Sequence, residues 1–286
     1  MMRCAAVLLL FATTAAVVQS FQLSSYTSES KNAAAVVLDN SSNQPSERRT
    51  FLTSAASLML TTIMGGSPAL ADDEPLEEVY FGCGCFWHVQ HEFVEAEKKI
   101  LGRSDDQLTA RAGYAGGKLG RGQDGKVCYH NGRGASDYGK LGHGEVVSLQ
   151  IPASKFKEFA VEYCKLFHSG MRPDQAGDRG LEYRNLVAFK GGSNNHVMTE
   201  QLIEASKATG DQLGFGAGKG SDGDIAKLVW IMDIDEFPFY IGEAYHQFHD
   251  GFAFGENYPN EYNSLSDKFL KKKEDFGTCP GSRLGL

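Results

Sequence analysis

The segment Gly82-Cys83-Gly84-Cys85-Phe86-Trp87 holds the residue types in this chain best suited to chemistry. It follows a short strand-like run, 77–81. It precedes apolar residues at Phe86, Val89, Phe93, Ala96 and Ile100, which is helical spacing. A cysteine at such a strand-to-helix turn meets unpaired backbone N–H groups and the positive end of the helix dipole. Both favour the thiolate, which is the nucleophilic form. Phe86 and Trp87 would give it an apolar wall. On position alone, a structural cysteine buried among core aromatics fits equally well.

Other residues widen the choice. Cys85 with His143 would suit a cysteine-dependent hydrolase or acyltransferase, which needs no reductant. His88-x-x-His91 and His246-x-x-His249 each place two imidazoles one turn apart, near Cys83 and Cys85. That raises zinc, but there is no paired Cys-x-x-Cys spacing, and we assign no metal. Cys164 reads as core on an amphipathic helix.

The elements that must carry these residues follow from periodicity and turn signals. Strands are expected at 77–81, 108–114, 145–151, 185–189 and 228–234. Helices are expected at 86–101, 155–167 with Ser154 as cap, 194–208 and 240–252. The glycine-rich stretch 115–142 has little periodicity, and a loop of that length is usually functional or disordered. The tail after Tyr262 is polar and contains glycine. Strands and helices alternate at irregular spacings, so we expect an α+β fold in a single domain. Its mixed sheet would have helices packed on it, a ferredoxin-like core with long loops.

The 286 residues carry a net charge of −8, which gives no whole-molecule case for nucleic acid or anionic lipid. Glycine is abundant at 33 and proline sparse at 8, which suits many tight turns on a folded core. Six cysteines are too few for a disulfide scaffold but enough for redox chemistry.

Gly84-Cys85-Phe86-Trp87 resembles the signature of the A-type peptide-methionine sulfoxide reductases, which act on the S epimer of methionine sulfoxide. Four more blocks follow in that family's order. They are Gly113-Tyr114-Ala115-Gly116-Gly117, Gly142-His143-Gly144-Glu145-Val146-Val147, Asp178-x-Gly180-x-x-Tyr183-Arg184 and Glu243-Ala244-Tyr245-His246-Gln247. The resemblance implies that Cys85 attacks the sulfoxide sulfur, and that Glu145, kept protonated by burial, protonates the oxygen. Asp178 and Tyr183 would bond that oxygen or orient Glu145. Phe86 and Trp87 would form the socket for the S-methyl. The product on Cys85 is a sulfenic acid. Repair of oxidised proteins and antioxidant defence are the implied role, with no bound cofactor.

The resemblance also implies a second thiol from a glycine-rich C-terminal tail, here Cys279 within Gly277-Thr278-Cys279-Pro280-Gly281. We expect a Cys85–Cys279 disulfide, then reduction by a thioredoxin-like dithiol protein. Cys128 and Cys83 are rivals for the resolving role, although a Cys-x-Cys ring is strained. Three departures stand out. His88 replaces a usual glycine, and the block at 180–185 reads Gly-Leu-Glu-Tyr-Arg-Asn. Asp124 stands where the family's second oxygen-binding tyrosine aligns, and Tyr138 is our candidate to replace it. The altered tyrosine leaves open a protein that binds oxidised methionine without turning it over. Oxidised peptides and proteins, including free methionine sulfoxide, are the expected substrates of a monomer.

The N-terminus reads as addresses. Residues 1–20 resemble a signal peptide, with small residues before Phe21. Residues 21–71 resemble a transit peptide ending in a second signal, with Arg48-Arg49, an apolar stretch and Ala69-Leu70-Ala71. Two signals in tandem point to a plastid and to the thylakoid lumen, with the stroma or the secretory pathway as alternatives. The reductase domain would be 72–286, with no membrane span in the mature form.

Overall fold

In β1 (Leu76–Gly82), Val79 and Phe81 face one side of the sheet and Tyr80 the other, and all three are fully buried. Such a strand is covered on both faces, so it belongs at the centre of a sheet rather than at an edge. The computed structural model describes residues 74–172, 177–210, 213–249 and 258–279. The leader signals, both cleavage sites and Pro280-Gly281 lie outside these residues.

The chain continues through α1 (Phe86–Leu101), β2 (Arg111–Ala115), β3 (Gly144–Pro152), α2 (Phe156–Lys165) and β4 (Leu186–Phe189). Then come α3 (His196–Ala208), β5 (Gly214–Ala217), β6 (Leu228–Asp233), β7 (Tyr240–Ile241) and α4 (Asn260–Lys271). The seven strands form one sheet in the order β5-β6-β4-β1-β3-β2-β7. Its middle, β4-β1-β3-β2, is antiparallel throughout and arises from the sequence βαββαβ. That is the split βαβ pattern of the ferredoxin-like core. β6 pairs parallel to β4 and to β5, so the sheet is mixed.

α1 and α2 lie over the face that carries Phe81. Phe81 stacks on Phe93 with ring centroids 4.6 Å apart and meets Phe156 and Tyr163. The opposite face holds Tyr80, Val146, Leu186, Met232 and Phe237, and the Tyr80 hydroxyl donates to the Phe237 carbonyl at 3.1 Å. Cys164 lies buried on α2, as its helical face implied.

Several local expectations are revised. Ser154 does not cap α2: its N–H and hydroxyl donate to the Glu74 carboxylate, and the helix begins after a 3-10 turn. Strand β2 starts later than expected because the Thr109 and Ala110 N–H groups donate to the buried Glu97 carboxylate instead of a ladder partner. The helix expected at 240–252 is replaced by β7 and a 3-10 turn at Ala244–His246. Tyr240 and Ile241 pair with Tyr114 and Gly113, and Gly242 N–H donates to the Ala112 carbonyl. A ladder to a buried strand overrides the weaker local preference for helix. The polar tail carries a helix, α4, that the periodicity reading did not single out. Tyr262, Leu265 and Phe269 line one buried face of α4, and Arg111 lies over the Phe269 ring at 3.9 Å.

Candidate active site

Cys85 is the N-cap residue of α1, reached through a turn at Gly84. Gly84 has φ +81°, a conformation that L side chains resist. Its N–H donates to the Tyr183 carbonyl at 3.0 Å, which fastens the turn to the segment after Gly180. Gly82 is also obligatory, because a Cβ there would stand 2.5 Å from the Glu145 carbonyl oxygen. The strand-to-helix turn and Glu145 are therefore in backbone contact.

Glu145 is the second residue of β3 and is buried. Its Oε2 accepts from the Phe86 N–H at 2.9 Å and its Oε1 from the Tyr138 hydroxyl at 3.0 Å. Burial outweighs both donors and pushes the carboxyl up to about 8. Glu145 thus holds a proton at neutral pH beside a cysteine.

The expectation that the helix end makes Cys85 a resting thiolate needs correction. Hydrogen bonds from the Trp87 and His88 N–H groups pull in that direction, but burial and the nearby Glu145 charge push the thiol well above its usual range. Burial holds both groups neutral, and a charge on Glu145 would disfavour one on Cys85, so the resting pair is a thiol beside a neutral acid. Burial also pushes Cys83 and Cys164 up to about 12, which suits inert core thiols.

Tyr183 closes a 3-10 turn at Leu181–Tyr183 and is half-buried. Its phenol is pushed up by burial and by the charges of Glu145, Asp178 and Cys85. Asp178 is raised by burial, and its charge acts on Cys85, Glu145 and Tyr183. Arg172 anchors this segment by donating to the carbonyls of Asp178 and Tyr183.

Tyr129 is a residue that sequence reasoning missed. It directly follows Cys128, and its ring lies 5.6 Å from Tyr138 and 4.4 Å from His246. Burial, Glu145 and Cys85 push its phenol up to about 12. Its signal was adjacency to the loop cysteine. Asp124, which aligns with the missing tyrosine, instead accepts from the Ser136 hydroxyl on an exposed turn. The structure brings Tyr129 and Tyr183 to the pair of Cys85 and Glu145, and places Tyr138 behind Glu145.

Phe86 is buried against Tyr114 and His246, at 5.9 and 5.2 Å. Trp87 is half-buried and lies 3.9 Å from His249, with Tyr245 edge-on at 6.1 Å. The apolar wall is therefore Trp87 at the surface with Phe86 packed beneath it.

Buried Arg184 ties the motif blocks together. It donates to the carbonyls of Leu181, Gly116 and Gly142 at 2.6, 2.8 and 3.0 Å. His143 belongs to the same frame. Its Nδ1 accepts from the Gly117 N–H and its Nε2 meets the Gly120 carbonyl at 2.6 Å. Both ring nitrogens are engaged by backbone, so His143 is a turn clamp and not a base for Cys85.

The chain is 27% identical over 174 residues to the peptide methionine sulfoxide reductase MsrA of Pseudomonas aeruginosa, covering 60% of this chain and 67% of that protein. It is 26% identical over 179 residues to MsrA of Geobacter metallireducens, covering 62% and 91%. With MsrA of Xanthomonas campestris pv. phaseoli it shares 25% over 215 residues, covering 71% and 80%. These similarities support a divergent relative of the MsrA proteins. No family model matches it. Among solved structures, reduced Mxr1 from Saccharomyces cerevisiae aligns with TM-score 0.40 at 20% identity, covering 60% of this chain and 82% of that one. Methionine sulfoxide reductase A of Corynebacterium diphtheriae aligns with TM-score 0.37 at 17% identity, covering 76% and 84%.

In this MsrA relative, Cys279 is bonded to Cys128 and not to Cys85 as expected. The reason lies in how two segments meet. Cys128 is carried by a loop pairing in which its N–H donates to the Ser136 carbonyl and its carbonyl accepts from the Tyr138 N–H. The tail crosses that loop because Gly277 N–H donates to the Gly242 carbonyl, forming a bridge between Gly277 and Glu243. Among the described residues, Cys128, Cys279 and Glu243 are also the one group of donors close enough to hold a metal. Two of its three donors are bonded to each other, so the group does not fit one. His88, His91, His246 and His249 form no such group among the described residues. His91 instead stacks on Tyr258 at 3.7 Å.

Proposed function

We propose that this chain reduces the S epimer of methionine sulfoxide in oxidised proteins, and as the free amino acid, to methionine. The observation that carries the reading is the buried, proton-holding Glu145, bonded by the Phe86 N–H and Tyr138 beside the Cys85 turn. A sulfoxide sulfur is electrophilic, but its oxygen leaves only when protonated. With the substrate methyl against Trp87, Glu145 gives its proton to the oxygen while Cys85 Sγ attacks the sulfur. The thiol proton passes to the Glu145 carboxylate and restores the acid. The hydroxyl then passes from the substrate sulfur to Cys85 Sγ as the transient sulfur–sulfur bond breaks, so methionine leaves and Cys85 is left as a sulfenic acid. Tyr183 and Tyr129 are placed to hold the oxygen, with Asp178 behind them.

Recycling uses both remaining reactive sulfurs. The Cys279 thiol displaces water from the Cys85 sulfenic acid, and Cys128 then takes over Cys279. Cys85 is freed and the Cys128–Cys279 disulfide is left for a thioredoxin-like dithiol. Protein repair is the role this chemistry serves. A cysteine hydrolase is disfavoured because His143 is held by backbone on both nitrogens.

One assay tests the reading. Reduced protein is mixed with a peptide containing the S epimer, and loss of one oxygen is followed by mass. Cys85→Ser should abolish the loss. Absence of any loss with wild-type protein would refute the reductase, and tight binding without loss would leave a binder. Delivery to the thylakoid lumen is a further part of the proposal, resting on residues 1–71. A fluorescent reporter fused to that leader tests it, and retention in the stroma or secretory route would overturn it. No helix among the described residues is long and apolar enough to cross a membrane.

A further inference from the structure

Glu243 is a buried carboxylate with no part in the chemistry above. The residue is 3% exposed. Oε2 accepts from the Tyr114 hydroxyl at 2.7 Å and Oε1 from the Tyr129 N–H at 2.9 Å. One carboxylate oxygen and the Sγ atoms of Cys128 and Cys279 all lie within 4.8 Å of one another. Cys128 is fully buried, so water has no direct access to its sulfur. A thiol that must lose its proton there needs an acceptor within the protein.

We infer that Glu243 is the proton acceptor for the Cys128 thiol when the Cys128–Cys279 disulfide closes. The inference rests on the proposed reductase reading for the origin of the Cys85–Cys279 intermediate. In the step, Cys128 Sγ attacks Cys279 Sγ and passes its proton to the Glu243 carboxylate. The Cys128–Cys279 bond forms and the Cys85–Cys279 bond breaks. The electron pair stays on Cys85 Sγ, which takes a proton from solvent, and Glu243 later releases its own to solvent. Two thiols are oxidised and the Cys85 sulfenic acid is reduced to thiol and water over the sequence.

The groups facing Glu243 leave it this task. Tyr114 on β2 and Tyr129 on the loop have phenols pushed up by burial, so neither is a base near neutrality. His246 on the neighbouring turn is pushed down to about 4 by burial, which leaves it a feeble acceptor. Cys128 and Cys279 are the reacting groups themselves.

Glu243→Gln tests the inference while keeping a hydrogen-bonding side chain of the same shape. The reduced full-length protein is mixed with excess S-epimer peptide and no reductant, quenched with an alkylating agent, and mapped by mass. The expected result is a methionine burst within about twofold of wild type and disulfide closure slowed about a hundredfold. The slowing should shrink as pH rises and the thiol ionises unaided. Closure at the wild-type rate would overturn the inference. So would a slowing that is the same at every pH, which would mark Glu243 as a clamp only. Closure is also triggered with hydrogen peroxide, which oxidises Cys85 directly. Failure of the peptide alone would therefore count against the reductase reading and leave the Glu243 comparison intact. If Glu243→Gln does not fold, Tyr114→Phe removes the donor at Oε2 and should move the midpoint of the closure pH profile upward. An unmoved midpoint would overturn the inference.

Discussion

Tyr138 lies flat against Tyr114, with ring centroids 4.6 Å apart, and the two hydroxyls donate to different buried carboxylates, Glu145 and Glu243. One carboxylate backs the Cys85 turn and the other backs the Cys128–Cys279 disulfide. A single aromatic stack thus lies between the Cys85 turn and the Cys128–Cys279 disulfide. Phe86 and Tyr129 extend the stack on either side.

The acid role proposed for Glu145 fixes a pH dependence. Its carboxyl is raised to about 8, so the productive neutral form is present at lower pH and lost as pH rises through that value. Single-turnover methionine formation should fall along the same limb. Glu145→Gln should lower that rate by about a hundredfold or more. The same shift governs folding. A carboxyl raised on folding stabilises below its unfolded value and loses that contribution as pH climbs towards about 8. Thermal melts of Glu145→Gln should therefore lack this alkaline loss.

Tyr138→Phe probes the same limb from the other side. The Tyr138 hydroxyl favours the ionised carboxylate, so removing it should shift the alkaline limb upward. A limb that stays in place in a single-turnover pH series would count against this bond.

Tyr129→Phe should lower kcat/KM about tenfold, the equivalent of one hydrogen bond to a developing charge. Kinetics with the S-epimer peptide measure it, and near-UV circular dichroism checks that the aromatic stack survives. An unchanged kcat/KM would return the second phenol to Tyr183 alone.

Arg184→Met should cost about 3 kcal/mol or more, because three carbonyls around a fully buried guanidinium site lose their donor. For a domain of this size that is a fall in Tm of about 6–12 °C. Calorimetry decides it, and a fall under a degree would show that other donors replace the guanidinium.

Reduction of Cys128–Cys279 should cost about 2–4 kcal/mol, since the bond closes a separation of 151 residues. The Tm of wild type should drop on adding dithiothreitol, and that of Cys128→Ser should not respond.

Much of this molecule was legible in its sequence. Helix α1 runs over the expected residues because its apolar spacing coincides with a real core-facing stripe. Glu145 could be singled out only because its neighbours formed a recognisable block, since a lone carboxylate at a strand start says little. Tyr129 was hidden because the stretch 115–142 has no periodicity. Its position depends on a loop pairing at Cys128 and on Glu243, far along the chain. α4 was hidden by its many charged residues, although Tyr262, Leu265 and Phe269 already had helical spacing. The partner of Cys279 could not be read from spacing, because a backbone bridge between Gly277 and Glu243 decides it.

The three bonds of Arg184 have a consequence for how this protein can change. They pin Gly116 and Gly142, the two feet of the long glycine-rich loop, to one guanidinium. With its feet fixed, the loop behaves as an interchangeable cassette. Lengthening it costs little, because closure entropy grows only slowly with length. New residues can be tried above the Cys85 turn while the frame beneath stays in register, and Tyr129 is carried on that cassette.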